Sequence, residues 1–412
     1  MTGLSVLLLL AGVAGAVWPP SRLPAGSVPA GAALLDVAFG AIGPGHVLTS
    51  LRPLWAAVGF LLSAVPLAVM LDRLGFFSAM ASRVAGNGAS PGRLWALAAL
   101  VTTLLNLDTA VVLLTPLYVQ VARRQGREAL SLAVQPVLLA CLASSALPVS
   151  NLTNLIVFSW SRPTTWSFIS HLALPSVVAT ATGWLCYRAM VVVPHRNMQS
   201  KAVPERRTVP RRDLWTGGAV VATVAIGFTV VPLAGLGPWL VALCGDAFLA
   251  CYLLLTAGRR PGAPPGIVPW RSVPLGTAVT VLSLGVLATA AAAHLPLASL
   301  LRGNSVLSLV GETGTAALGA NVFNNLPTLL VALPYLGHRA SGQMWAVLLG
   351  VNMGPVLLAT GSLASLLWLS TLSRLGVPAR PRDFTRFGAR VGLPAAAAAV
   401  VVAVLMTATG LS

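Results

Sequence analysis

Apolar runs near twenty residues long recur from one end of the chain to the other, separated by short polar turns. This is the pattern of helices that cross a bilayer. It predicts ten spanning helices, at 3–18, 29–48, 53–72, 131–160, 165–190, 214–232, 236–257, 273–293, 343–370 and 391–410. Two further apolar segments do not read as plain spans. Residues 98–120, AALVTTLLNLDTAVVLLTPLYVQ, hold Asn106, Asp108 and Thr109 near their middle; residues 317–334, ALGANVFNNLPTLLVALP, hold Asn321, Asn324, Asn325 and Thr328. A carboxylate at mid-bilayer depth costs roughly 2.5–3.5 kcal/mol on insertion scales, so it belongs to a cavity or binds something. Two interrupted apolar segments in corresponding positions of two halves point to the binding site of a secondary transporter.

The arginines decide how these two segments lie. Arg73, Arg83 and Arg93 precede the first and Arg123, Arg124 and Arg127 follow it, so a single crossing would leave one cluster outside. A re-entrant hairpin, 94–122, that enters from the cytoplasm keeps both inside. The second, 304–336, is flanked only by Arg302 and Arg339, as expected of a hairpin entering from outside. With that assignment 22 of the 26 basic residues face the cytoplasm, in accord with the positive-inside rule, and both termini lie outside. Residues 193–213, basic and proline-containing, have no apolar face and read as a cytoplasmic linker between halves 1–192 and 214–412. The halves match in order (three helices, a hairpin, a polar-centred helix, a closing helix), but one starts outside and the other inside. They are expected to be inverted repeats.

The 131–160 helix is expected to break at LPVSNLTN. Pro148 removes a backbone donor there, and Ser150, Asn151, Thr153 and Asn154 supply partners for the freed backbone groups. Its counterpart is NMGPVLLATGSLASLLWL, residues 352–369, with Asn352, Thr360, Gly361 and Ser362. Non-helical backbone at membrane depth survives only where it is buried in protein or lines a cavity. Four such breaks are expected to converge on one site, with half-helix N-termini directed at the substrate.

Composition removes other classes. Only 8% of the 412 residues are charged and 56% are hydrophobic, with mean hydropathy +0.85. Soluble domains carry about 25% charged residues. The net charge of +17 sits in short loops, the pattern of topology signals rather than of a nucleic-acid surface. Cys141, Cys186, Cys244 and Cys251 show no CxxC spacing and fall in expected helices, so neither a disulfide nor a metal site is expected. The first run, MTGLSVLLLLAGVAGAVW, has no Lys or Arg before it and reads as a retained helix rather than a cleaved signal. HExxH and Walker A runs are absent, so neither an enzyme nor a cofactor is expected.

At these residues the chain resembles the arsenite/antimonite permease family, within the ion transporter superfamily that also holds sodium/proton antiporters and divalent anion:sodium symporters. The resemblance rests on GFF with AGNG and GRLW (75–95), DTAVVLLTP (108–116), LPVSNLTN (147–154), NNLPTLLVAL (324–333) and GPVLLATGSLASLLWL (354–369). It implies two inverted repeats, a hairpin in each, alternating access around a midplane site, and efflux of arsenite or antimonite. Two positions depart from the family. Leu107 separates Asn106 from Asp108, where the family has Asn-Asp adjacent. Asn352, Met353, Gly354, Pro355 and Val356 stand where it reads Asp-Leu-Gly-Pro-Lys, so an acid and a base are absent together.

The fold expected is therefore all-α and polytopic: about ten transmembrane helices and two re-entrant hairpins in a bacterial inner membrane. The expected activity is proton-coupled efflux of a small inorganic oxyacid or ion. Asp108 is the first candidate for proton coupling; Glu312 and Asp246, acids inside other apolar segments, are further ones. The substrate cradle is expected from Asn106, Asp108, Thr109, Ser150, Asn151, Thr153, Asn154, Asn324, Asn325, Thr328, Asn352, Thr360, Gly361 and Ser362. Their amides and hydroxyls suit a polyol-like solute such as As(OH)₃, a cation held by carbonyl-type oxygens, or the backbone freed at the breaks. Other readings stay open: a sodium/proton antiporter or anion symporter, and a permease driven by a cytoplasmic ATPase docked on the linker. The expected partners are the lipid bilayer and the transported solute, with that ATPase and a second copy of the chain in a homodimer as further candidates, and no nucleic acid.

Overall fold

A computed structural model describes the chain except residues 1, 19, 21, 86–89, 191–208, 235, 257–272, 293, 295–304, 338–339 and 410–412. The linker expected at 193–213 lies outside the described residues as far as 208, as do the start of the second hairpin and Arg302 and Arg339.

All regular structure among the described residues is helical. Six helices are long and apolar enough to cross a membrane: Trp55–Arg73, Thr165–Met190, Pro238–Thr256, Leu275–Ala292, Val306–Phe323 and Pro381–Thr409. Of the other expected spans, 3–18 and 214–232 are single helices, Thr2–Val17 and Arg211–Val230, and the rest are made of shorter pieces. The run expected as one helix at 29–48 is two, Ser27–Ala38 and Pro44–Leu51, because Gly40 turns the chain at φ 71° and Pro44 opens the next helix. A short helix that the hydrophobic pattern did not indicate, Phe76–Ala85, precedes the first hairpin.

The first hairpin is Pro91–Leu105 and Leu107–Arg124, parted at Asn106, whose φ of 150° no helix admits. Its arms fold back on each other. The Tyr118 hydroxyl donates to the Leu94 carbonyl, two residues equally far from the tip, and both are fully buried. The second hairpin is Val306–Phe323 and Asn325–Ala332, parted at Asn324 (φ 78°). Here Gly319 brings its backbone against Thr328, where an added Cβ would sit 2.8 Å from Cγ2.

The two polar-centred helices are broken, as the sequence leads one to expect. Ala129–Leu142 and Leu152–Ser161 are separated by a turn through Pro148–Ser150; Gly342–Met353 and Leu363–Arg374 are separated by short 3₁₀ turns over 354–361. The residues that restart the second pieces have nearly the same backbone, Asn151 at φ −146°, ψ 144° and Ser362 at φ −146°, ψ 153°.

Each broken helix runs from the base of one hairpin to the base of the other. Ala129 follows directly on the first hairpin, while Trp160 Nε1 donates to Leu336 O, at 3.1 Å, where the second hairpin ends. Conversely, Arg123 Nη2 at the base of the first hairpin donates to Leu375 O at 2.7 Å, just past the end of Leu363–Arg374. The hairpin bases therefore lie at opposite ends of the molecule and their tips approach from opposite sides.

Closing helices seal the breaks from outside. Trp368, fully buried, donates Nε1 to Ala133 O at 2.7 Å and joins the two broken helices. The last helix starts at Pro381, ten residues before the expected start at 391, and passes through a π-helical stretch, Gly388–Gly392. That stretch lies directly against the carbonyl of Val356 in the second break.

Candidate functional site

Four helices begin at one place. The first residues of Leu107–Arg124, Leu152–Ser161, Asn325–Ala332 and Leu363–Arg374 all line a single cavity of about 70 Å³. Each start is capped by a polar side chain. Asn106 Oδ1 accepts from Asp108 N at 2.9 Å, Asn151 Oδ1 from Thr153 N at 3.2 Å, Asn324 Oδ1 from Leu326 N at 3.3 Å, and Ser362 Oγ from Ser365 N at 3.3 Å. Each cap satisfies one of the amides that a helix start leaves without an intrahelical partner. Each N-terminus carries roughly +0.5 elementary charge. Four together outweigh one ionised carboxylate, so the cavity suits a hydroxyl-rich or anionic solute.

Five of the predicted residues line this space: Asp108, Asn151, Thr153, Asn324 and Asn325. Asp108 is half-buried in the first turn of its helix; its Oδ1 is buried, and no described residue donates to it. Leu107, Leu152, Leu326, Pro327, Leu363 and Leu366 form the apolar part of the wall. A water needs about 10–15 Å³ on this measure of volume, so the cavity holds a solute of roughly five heavy atoms.

The other predicted residues stand behind this lining. Asn106 and Ser362 are the caps already described. Ser150 Oγ donates to Thr103 O at 2.7 Å, and Thr360 Oγ1 to Asn321 O at 3.2 Å, so each break is tied to the arm of the neighbouring hairpin three residues before its tip. Asn321 itself donates to Gly354 O at 2.7 Å and accepts from Leu358 N at 2.9 Å, and Asn324 Nδ2 donates to Thr360 O at 3.1 Å. Thr328 Oγ1 bonds back to Asn324 O at 2.8 Å. Gly361 lets the chain pass Pro355, whose Cα would lie 2.9 Å from an added Cβ. Thr109 is buried next to Asp108, outside the cavity lining. Asn154 and Asn352 belong to a network between the two broken helices.

Glu312 and Asp246 are away from the lining. Glu312 accepts from Gln343 Nε2 at 3.4 Å on the first arm of the second hairpin, and Asp246 sits on Pro238–Thr256, which packs against Trp55–Arg73. Sequence reasoning missed Thr277 and Thr280, which close the cavity from Leu275–Ala292, along with Ala16 and Val17. That helix reads as uniformly apolar, and two threonines without a break beside them carried no signal. A larger cavity, about 190 Å³, is walled by His171, Leu309, Thr313, Trp345 and the end of the last helix. None of the predicted residues lines it.

The citrate transporter family model matches residues 4–374. The chain is 27% identical to the arsenical pump membrane protein of Escherichia coli (strain K12), over 92% of each chain. It is also 27% identical to the arsenical pump membrane protein of Yersinia enterocolitica, over 92% of this chain and 93% of the other. To the 46 kDa membrane protein of Mycobacterium leprae (strain TN) it is 25% identical, over 82% of this chain and 83% of that one. The resemblance drawn from the sequence motifs agrees with these relatives. The protein is a multi-pass transporter of the inner membrane. The chain belongs to the citrate transporter family, and within it is similar over nearly its whole length to arsenical pump membrane proteins.

Proposed function

We propose that this transporter exports trivalent arsenite or antimonite by alternating access, driven by protons that Asp108 takes up and releases. The observation that carries the reading is the convergence of four capped helix N-termini and one carboxylate, with a buried oxygen to which no described residue donates, on a space of about 70 Å³. As(OH)₃ fits that volume. Its oxygens accept from first-turn amides, and its hydroxyls donate to Asp108 and to the amide oxygens of Asn324 and Asn325. A tricarboxylate such as citrate is several times too large for the same space, although the family takes its name from that solute. The arsenical pump relatives support the same choice of substrate.

The mechanism follows from the arrangement. Residues 1–192 and 214–412 act as inverted repeats joined by the linker 193–213, with one hairpin reaching the site from each side. Rocking one repeat against the other opens the cavity alternately inward and outward. A solute and a proton compete for the Asp108 carboxylate: arsenite hydroxyls bind it ionised on the inside, and protonation on the outside releases them. Binding by Asn151, Thr153, Asn324 and Asn325 orients the solute, and the leucines around them exclude water.

Everted vesicles from arsenite-sensitive cells test this reading. A proton gradient, acid inside and without ATP, is expected to drive arsenite uptake. No uptake by well-inserted protein would exclude the substrate. Uptake that requires ATP and an added cytoplasmic ATPase would replace proton coupling by a pump subunit's role.

A further inference from the structure

Asn352 is 2% exposed and lies outside the cavity, yet it bonds four residues of the opposite broken helix. Its Oδ1 accepts from Thr153 Oγ1 at 2.6 Å and from Asn151 Nδ2 at 3.0 Å. Its Nδ2 donates to Asn154 Oδ1 at 2.6 Å and to Ser145 Oγ at 3.3 Å. All four hydrogen-bonding positions of the amide are filled.

The direction of every amide in this cluster is determined by its surroundings. Asn154 directs its Nδ2 to the carbonyls of Ser144 and Leu147, both at 2.8 Å, so its Oδ1 faces Asn352 and needs a donor. Asn151 spends its Oδ1 on Thr153 N, so its Nδ2 faces Asn352 and needs an acceptor. Asn352 must therefore donate on one side and accept on the other. Two of the residues it holds, Asn151 and Thr153, line the cavity.

We propose that Asn352 is the positioning residue of the cavity, and that its position requires a side chain that donates to Asn154 while accepting from Asn151 and Thr153. A carboxylate would set an anionic oxygen against Asn154 Oδ1 with no hydrogen between them, an unpaired polar clash in the buried centre of the protein. A protonated carboxyl restores the pattern, its O–H donating to Asn154 and its carbonyl accepting from Asn151 and Thr153. Asn352→Asp is thus a protein whose site is assembled only when that acid is protonated, whereas the native amide keeps it assembled at every pH. The titratable groups on the helices packed against Gly342–Met353 are Cys141 on Ala129–Leu142, His171, Cys186, Tyr187 and Arg188 on Thr165–Met190, and Glu312 on Val306–Phe323, with Asp108 in the cavity lining. Among the described residues none of these bonds to Asn352.

The transport arm of the test rests on the reading above; the stability arm does not. Thermal unfolding of purified wild type, Asn352→Asp and Asn352→Leu is followed from pH 4.5 to 8.5. The Asp variant's midpoint is expected to approach the wild type's at the acid end and to fall away as pH rises. The Leu variant stays low by a constant amount. Arsenite uptake, taken as the ratio of variant to wild type at each pH so that changes in driving force cancel, is expected to drop about 10–100-fold for Asn352→Asp between the acid and alkaline ends, the usual cost of losing a residue that orients a site. A midpoint difference and an uptake ratio that are both flat with pH would overturn the proposal. So would an Asp variant that fails to fold even at pH 4.5. A wild type that moves no arsenite sinks the substrate assignment alone, and the thermal comparison still decides whether the amide's polarity is what the position requires.

Discussion

Gly388 offers the sharpest test of how the last helix holds the second break in place. Its backbone is ordinary right-handed helix (φ −58°, ψ −45°), so alanine brings no conformational penalty. The penalty is contact. A Cβ there would lie 1.8 Å from Val356 O and 2.9 Å from Val356 C. A carbon approaches a carbonyl oxygen to about 3.3–3.6 Å, so helix and break must separate by roughly 1.5 Å. Both partners are backbone, and no rotamer relieves the clash. Overpacking costs about 1–3 kcal/mol, and this geometry belongs at the upper end. Alanine returns about 0.8–1 kcal/mol of helix propensity, leaving a net loss near 2 kcal/mol.

Gly314→Ala is the control, since nothing lies within 4 Å of its added Cβ. One kcal/mol moves the midpoint by about 2–4 °C for 150–250 residues, and so by roughly 1–2 °C for a chain of this length. In detergent, Gly388→Ala is expected to melt about 2–4 °C below the wild type, and Gly314→Ala about 1 °C above it. Gly388→Ala should also lose uptake, because the break it displaces carries Thr360 and Ser362. Equal midpoints for the two variants would refute the packing argument.

Asn324→Ala and Asn324→Gly lose the same cap, but only glycine accepts φ 78° freely; the alanine variant is expected to be less stable by about 1–2 kcal/mol in the same melting assay. Tyr118→Phe removes the bond that clasps the first hairpin and should cost roughly 0.6–1.7 kcal/mol, the range for hydrogen bonds between membrane helices, with no change in which solutes are carried. Thr280→Val keeps shape but removes a hydroxyl from the cavity wall. Its Oγ1 already donates to Gly276 O at 2.8 Å, so the expected effect is a rise in KM for arsenite with kcat nearly unchanged.

The four breaks were legible in the sequence because each puts amide and hydroxyl side chains into an apolar run, and backbone at that depth must be satisfied from within the protein. A fold-back of the first hairpin was expected because arginines flank it on both sides, and the Tyr118–Leu94 contact joins its two arms in that way. What escaped was whatever carries no polar exception. The bend between Ser27–Ala38 and Pro44–Leu51 was hidden inside a continuous apolar run, although Gly40, Gly43 and Pro44 announce it. The π-helical stretch at Gly388–Gly392 answers the carbonyl of Val356, 32 residues before Gly388, which no local pattern encodes. In the candidate site, side chains that point into the cavity could not be told from those that brace it. Asn151 and Asn154 sit three residues apart in one motif, yet Asn151 lines the cavity and Asn154 turns back to Ser144 and Leu147.

Asp108→Asn tests the central claim most directly, since the amide keeps the shape of the side chain and removes only its ability to gain and lose a proton. The measurement is arsenite uptake into everted vesicles under an imposed proton gradient without ATP, beside the wild type at matched levels of inserted protein. The account predicts gradient-driven uptake by the wild type and none by the variant, with arsenite exchange down its own gradient retained. Undiminished proton-driven uptake by Asp108→Asn would contradict it.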